Sequence, residues 1–303
     1  MQAFAPGIYA RSEELVQATR DLDRGRTTPE VADEAFERDL AAVMHVQEEA
    51  GLDPLTDGML RWQDLWRPLA DASDGLEARP LVRFLDTNTF YRALLVDGEP
   101  RLRAPLPPPD LPEGRWLGTL PSPYGFARAA NDETEPVTLA RNVLAPQIDA
   151  WADAGCALIV LDEPFLAREP DGVAELADAL ASLPRPVPVH LRLVFGDAGG
   201  LLEGLADLPV DGVGVDFYAT SLDAVPTDFP KQVLAGVVDA RSSALEEPED
   251  VARFAETLRG RGVADIDLVP NGDLQFVPEA IARRKLTVLG RAAALIREEA
   301  LAQ

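Results

Sequence analysis

GCALIVLDEPFLA, from Gly155 to Ala167, is the stretch that decides how the chain folds. Five apolar residues, Ala157 to Leu161, stand between a glycine and an acid pair, the pattern of a strand buried on both faces, and Asp162-Glu163-Pro164 then stops it. Such strands belong to parallel sheets covered by helices. In a parallel α/β barrel the C-terminal strand ends form the working face, so Asp162 would point at whatever the protein binds. A cap on the following turn is an equally weighted role for Asp162, and for Glu163 it is the preferred one.

Working outward, residues 136–154 read as the helix that leads into this strand. Further strand patterns fall at 3–9, 52–57, 115–120, 187–193, 212–217, 231–238 and 265–269, most of them separated by helical patterns. A long amphipathic helix spans 28–50, opened by Thr28-Pro29-Glu30, and a closing helix spans 278–299. Eight short apolar segments in this rhythm predict an α/β fold, a (β/α)8 barrel built as a single domain over residues 1–303. Leu81–Leu85 and Thr89–Val96 flank Asp86-Thr87-Asn88, which predicts a β-hairpin inserted above the barrel. The proline-rich run 104–112 then reads as a stiff extended connection.

Composition narrows the function classes. A formal charge of −24 comes with only two lysines, Lys231 and Lys285, arginine supplying the other positive charges. At molar salt the Debye length shrinks to roughly 3 Å, so an acidic surface hardly repels itself, and the balance reads as a halophilic type suited to a salty cytoplasm. It argues against nucleic acid and anionic membranes as partners, since phosphate contacts need clustered Lys and Arg. No apolar run is long enough for a membrane span, and the first residues lack a signal-peptide pattern. The single cysteine, Cys156, excludes a disulfide framework and a cysteine-rich metal site. GDAGGLLEGL from Gly196 lacks both a Walker lysine and a dinucleotide spacing. His45 reads as a helix-face histidine without chemistry. Arg61 and Trp62, in the loop after the second strand, are candidates for holding a planar or anionic ligand, although such side chains also wedge loops against a barrel rim.

Set in this order, TDGMLRWQD from Thr56, RFLDTNTFYR from Arg83, PSPYGFARA from Pro121, LIVLDEP from Leu158, KQVLAGVVDAR from Lys231 and the late VPNGDLQFVP with RRKL resemble the cobalamin-independent methionine synthase family over nearly the whole chain. The resemblance implies methyl transfer in methionine biosynthesis: a zinc-bound homocysteine thiolate takes a methyl group from a 5-methyltetrahydrofolate-type donor. Zinc would serve to deprotonate the thiol near neutral pH. Taken together with the residue readings, the candidate site residues are Asp162 and Asp239 as catalytic, and Arg61, Trp62, Tyr124, Asp162 and Arg192 as substrate-binding. His190 and Asp216 are what remains for a metal.

The chain departs from the family's pattern where the metal would sit. Aligned with the family's His-x-Cys pair, Glu and final Cys are His190 with Arg192, then Asp216, then Gly272. Both sulfurs are missing, and a thiolate-rich tetrahedral site cannot be built without them. Cys156 begins the central strand, about 20 Å from its upper end at ~3.3 Å per residue, and cannot replace them. Ala240 beside Asp239 stands where the family has a proton-donating histidine, and Met59 and Arg61 stand where it has acids for the substrate ammonium. GVVDAR and LQFVP resemble the family's zinc-free amino-terminal barrel more closely, although Glu13 and Glu14 replace basic residues expected there. Three readings follow: a methyltransferase with a sparse polar site, a zinc-free accessory barrel paired with a separately encoded catalytic paralogue, or a barrel re-used for another small anionic ligand received by Arg61, Arg92, Arg128 and Arg192.

Overall fold

The computed structural model describes residues 1–263 and 265–302. The expected hairpin is present and longer than the sequence pattern indicates: β1 (Ser73–Arg83) pairs antiparallel with β2 (Phe90–Leu102). Six strands then form one parallel sheet in sequence order, β3 (Trp116–Pro121), β4 (Cys156–Glu163), β5 (Val189–Leu193), β6 (Gly212–Asp216), β7 (Gln232–Val238) and β8 (Ile266–Pro270).

The two remaining strand positions close the ring, each through a single bridge. At one edge Ala3 bridges Leu268 in parallel, with Phe4 N donating to Leu268 O at 3.1 Å and Leu268 N to Gln2 O at 3.0 Å. At the other edge Leu55 bridges Trp116, with Leu55 N on Arg115 O at 2.8 Å and Leu117 N on Leu55 O at 2.9 Å. Asp53 N donates to Ala3 O at 3.0 Å and joins the two short segments to each other. The eight-position barrel is therefore closed. Segments 3–9 and 52–57 shrink to bridges for a local reason: Pro6 and Pro54 carry no N–H to continue a ladder.

Alternate strand residues point inward. Phe4, Leu117, Leu158, Val160, Leu234 and Val269 form their own buried cluster, the apolar filling of the barrel, separate from the larger core between sheet and helices. The helices Pro29–Ala50 and Glu279–Ala302 lie in the outer layer and approach closely at Gly290, where a Cβ would stand 1.9 Å from Ala50 O. The helix predicted over 136–154 is present, with a wider π turn at Ala140–Leu144, next to Pro146, which gives no N–H to the carbonyl of Asn142. Between Leu55 and β3 the outer layer holds only the short helix Arg67–Asp71, the hairpin and the proline-rich run. That run is pinned to the helix Ala145–Asp153: Leu106 N donates to Gln147 Oε1 at 2.7 Å, and Leu106 O accepts from Trp151 Nε1 at 3.1 Å. No helix among the described residues is long and apolar enough to cross a membrane.

Candidate functional site

Above the apolar filling the barrel carries a polar layer. Asp162 on β4 and Arg192 on β5 are register partners pointing inward. Arg192 donates from Nε to Asp162 Oδ1 at 2.7 Å and from Nη2 to Oδ2 at 2.6 Å; Nη2 also reaches Asp273 Oδ1, after β8, at 3.0 Å. Glycines on the neighbouring strand make room. A Cβ at Gly214 would stand 2.7 Å from Arg192 Cγ, and one at Gly212 would stand 2.9 Å from Cδ2 of His190, one inward layer below.

The electrostatics follow from burial. Two carboxylates share one guanidinium. Desolvation pushes the Asp162 carboxyl up, and Arg192 opposes the push. Asp273 is pushed up to about 6, first by burial and then by repulsion from Asp162, with Arg192 offsetting part of it. Burial alone would lower Arg192, but the two carboxylates outweigh it and hold the guanidinium above its usual range. Its Nη1 is buried without a partner, as is Nδ1 of His190, whose imidazole burial lowers to about 4.

The hairpin roofs this layer. Between Asp162, Asp273, Ile8 and Gln275 below and Trp66 and Tyr91 above remains a cavity of about 20 Å³, room for about one water molecule. The roof is aromatic: Trp66 packs on Tyr91 at 4.5 Å between centroids, Phe84 stacks on Phe276 at 6.0 Å, and Phe276 meets Phe195 at 5.3 Å. At the tip, Asp86 pairs with Arg241, from the loop after β7, at 3.1 Å.

The other residues singled out from sequence lie elsewhere. Glu163, fully buried, accepts from Gly125 N, Phe165 N and Leu166 N at 2.9, 2.7 and 2.9 Å and bonds the Ser122 hydroxyl, the cap preferred for it. Asp239 caps its own loop, accepting from Arg241 N at 2.9 Å. Tyr124 is buried, its hydroxyl donating to Glu169 at 2.9 Å. Arg61 is on the surface, paired with Asp33 at 2.7 Å and Glu37 at 3.2 Å, and Trp62 lies beside it, outside the mouth cavity. His45 is exposed, 3.4 Å from Glu49. The four arginines proposed for an anion scatter, since Arg92 donates to Arg79 O, Arg128 binds Glu169 and Asp132, and only Arg192 enters the barrel. Asp273 was not singled out from sequence. Its signal was its place directly after the last strand, where a barrel gathers polar groups.

The residues present do not fit the zinc that the family implies. Asp216 is spent on its own loop and two neighbouring ones, accepting from Tyr218 N at 2.9 Å, Asn271 Nδ2 at 3.0 Å and Gly196 N at 3.2 Å. His190 is level with Gly212, four residues and about 13 Å further down the strand than Asp216. At the cysteine-aligned positions stand Arg192, a cation, and Gly272, where a Cβ would run 2.3 Å from the Phe195 ring. Among the described residues no three His, Cys, Asp or Glu side chains gather where a metal ion could be held. Cys156 lies at the lower end of β4, and burial raises its thiol to about 11.

What these features define is an α/β barrel with a roofed mouth and a self-neutralised carboxylate–guanidinium floor. Residues 129–261 match the family described as cobalamin-independent synthase, N-terminal domain. The methionine synthase of Sulfurisphaera tokodaii is 24% identical over 310 residues, covering 97% of this chain and 91% of that protein. The 5-methyltetrahydropteroyltriglutamate–homocysteine methyltransferase of Mycobacterium leprae is 28% identical over 226 residues, 65% of this chain but 29% of that longer protein. In fold, the B12-independent methionine synthase structure from Shewanella sp. W3-18-1 superposes with a TM-score of 0.77 at 16% identity, covering 100% of this chain and 99% of that one. The chain resembles the cobalamin-independent methionine synthase family, as a single barrel of it.

Proposed function

We propose that this chain works in cytoplasmic methyl transfer for methionine biosynthesis, from a 5-methyltetrahydrofolate-type donor to homocysteine, as a zinc-free accessory barrel beside a separately encoded catalytic paralogue. The observation that carries this reading is the Arg192–Asp162 pair. An amino-acid substrate needs a free carboxylate for its ammonium group, and here both oxygens of that carboxylate are already held by an internal cation. Displacing a buried guanidinium would leave it desolvated and unpaired. A thiol acceptor also needs a group that makes it a thiolate near neutral pH, and the donor set for that group is absent among the described residues. The likeness to the family's N-terminal domain agrees with a supporting half.

The test is a methylation assay with this chain, the catalytic paralogue and the two mixed, alongside co-purification at high salt. The reading expects no turnover from this chain alone, a stable complex, and faster turnover in the mixture. Turnover by the chain alone, or a mixture no faster than the paralogue and no complex, would remove it.

A further inference from the structure

The outer layer has a gap where a (β/α)8 barrel would carry a helix between its second and third strands, and the gap is a cavity of about 400 Å³. Its walls come from three separate parts of the chain: Phe36 and Leu40 of the helix Pro29–Ala50, Leu60 and Trp62 from the loop after Leu55, and the prolines 107–109. The volume falls within the roughly 300–1,000 Å³ of small-molecule sites. The proline segment is stiff and pinned through Leu106, so the wall is formed before any ligand arrives. None of these residues lines the mouth cavity.

Asp57 also lines this cavity. Its Oδ1 accepts from Met59 N at 2.8 Å, and among the described residues no side-chain donor reaches its carboxylate. Desolvation pushes the carboxyl above its usual range. The one cationic group at the cavity, Arg61, donates to Asp33 and Glu37 and lies 4.5 Å over the Phe36 ring, and its charge offsets only part of the push on Asp57. The other charged groups there, Glu37 and Asp110, are acids. The cavity therefore offers apolar and aromatic walls with a carboxylate that no side-chain donor reaches, and its one cation is turned to Asp33, Glu37 and the Phe36 ring.

We propose that this cavity binds a small organic ammonium with a flat apolar body, its nitrogen on Asp57 and its body between Trp62 and the proline segment. The carboxylate supplies the counter-charge, the indole face adds attraction for a cation, and the walls take the apolar part. The inference is independent of methyl transfer and stands or falls separately from it.

Calorimetric titration with 2-phenylethylamine, ethylamine and the neutral N-acetyl-2-phenylethylamine tests it. The aromatic ammonium should bind at least tenfold more tightly than either of the others. Asp57→Asn should bring it down to the level of the neutral amide, while Trp62→Leu should weaken both aromatic probes. Asparagine keeps the oxygen that Met59 N needs, and matching melting curves will show that the loop has survived. Equal binding of charged and neutral probes, no effect of Asp57→Asn in a folded variant, or no binding of 2-phenylethylamine at millimolar concentration each overturns the proposal.

Discussion

Arg192 grips both oxygens of Asp162 inside the barrel, at 2.7 and 2.6 Å, with each side chain 1% exposed. A buried pair of this kind contributes little net stability compared with apolar side chains of the same volume, yet removing one partner is costly because the other is left charged in a poor solvent. The pair therefore acts as a lock on the barrel's upper end.

Unequal effects should follow from cutting that lock at its two sides. Arg192→Met strands two carboxylates and should cost about 3–5 kcal/mol. Asp162→Asn should cost less, because Asp273 still faces the guanidinium at 3.0 Å. Combining Arg192→Met with Asp162→Asn and Asp273→Asn should recover much of the loss. Urea midpoints decide it: an Arg192→Met variant within about 1 kcal/mol of the parent would mean that water reaches the pair.

Restoring the sulfur donors should not restore a metal site. Arg192→Cys frees two buried carboxylates, and Gly272→Cys drives a Cβ into the Phe195 ring. His190 stays two inward layers below Asp216, which keeps its three N–H donors. The double variant, purified from zinc-containing medium, should carry well below one equivalent of zinc. A stoichiometric, chelator-resistant zinc would show that this floor rearranges more easily than its packing indicates.

Two titrations in the barrel oppose each other. Asp273 rises to about 6 in the fold, so the folded state holds the proton more tightly than an unfolded carboxyl near ~3.9. Its effect is to lower stability as pH rises through that window, by on the order of 2–3 kcal/mol. His190 falls to about 4 from an unfolded value near ~6.5, so its effect is to lower stability as pH falls through that window, by on the order of 3 kcal/mol. Relative to the parent, Asp273→Asn should therefore gain stability on going from pH 4 to 6, whereas His190→Gln should lose it over pH 4 to 6.5. Urea unfolding at several pH values gives both differences; the same sign for both variants would refute the assignment.

The barrel was legible because its strands are apolar runs closed by acids and glycines, and Val160-Leu161-Asp162 shows the pattern clearly. Strand ends were harder to read. Asp162 and Glu163 remain in β4 although acids usually mark a stop, because Arg192 and a set of backbone N–H groups satisfy them. The pairing of Arg192 with Asp162 depends on register between strands, which no local pattern carries. A hint was present in the inward alternation of His190 and Arg192 beside Gly212 and Gly214, small residues opposite large polar ones. Arg61 and Trp62 were drawn toward the mouth by their place after the second strand, yet the missing helix turns that loop outward to a different cavity. The two lysines also acquire a reason in three dimensions. Lys231 donates to Leu208 O and Val210 O at 2.7 and 2.9 Å, and the fully buried Lys285 to Ala244 O and Glu246 at 2.7 and 3.0 Å, roles for a compact ammonium that a planar guanidinium fills poorly.

The roof should open as a unit of its own. The hairpin is held to the barrel by aromatic contacts of Phe84 with Trp66 and Phe276 and by the exposed Asp86–Arg241 pair. Its strand β1 is exposed from Glu77 to Arg83, so the other anchors at that end come from β2, where Tyr91 packs on Trp66 and Arg92 N donates to Asp64 Oδ2 at 3.0 Å. Phe84→Ala removes a ring that is 9% exposed and should cost about 3 kcal/mol. Because the contact joins the hairpin to the rest rather than filling the barrel, the loss should appear as local opening. Amide exchange in β2 should speed up about 100-fold, the equivalent of that free energy, while β4 keeps its protection. Arg241→Ala should act in the same direction but weakly, by under about 1 kcal/mol, as an exposed ion pair does. Equal acceleration in β2 and β4 would mean that the hairpin and barrel unfold together, and the mouth would then have no separate way to admit a ligand.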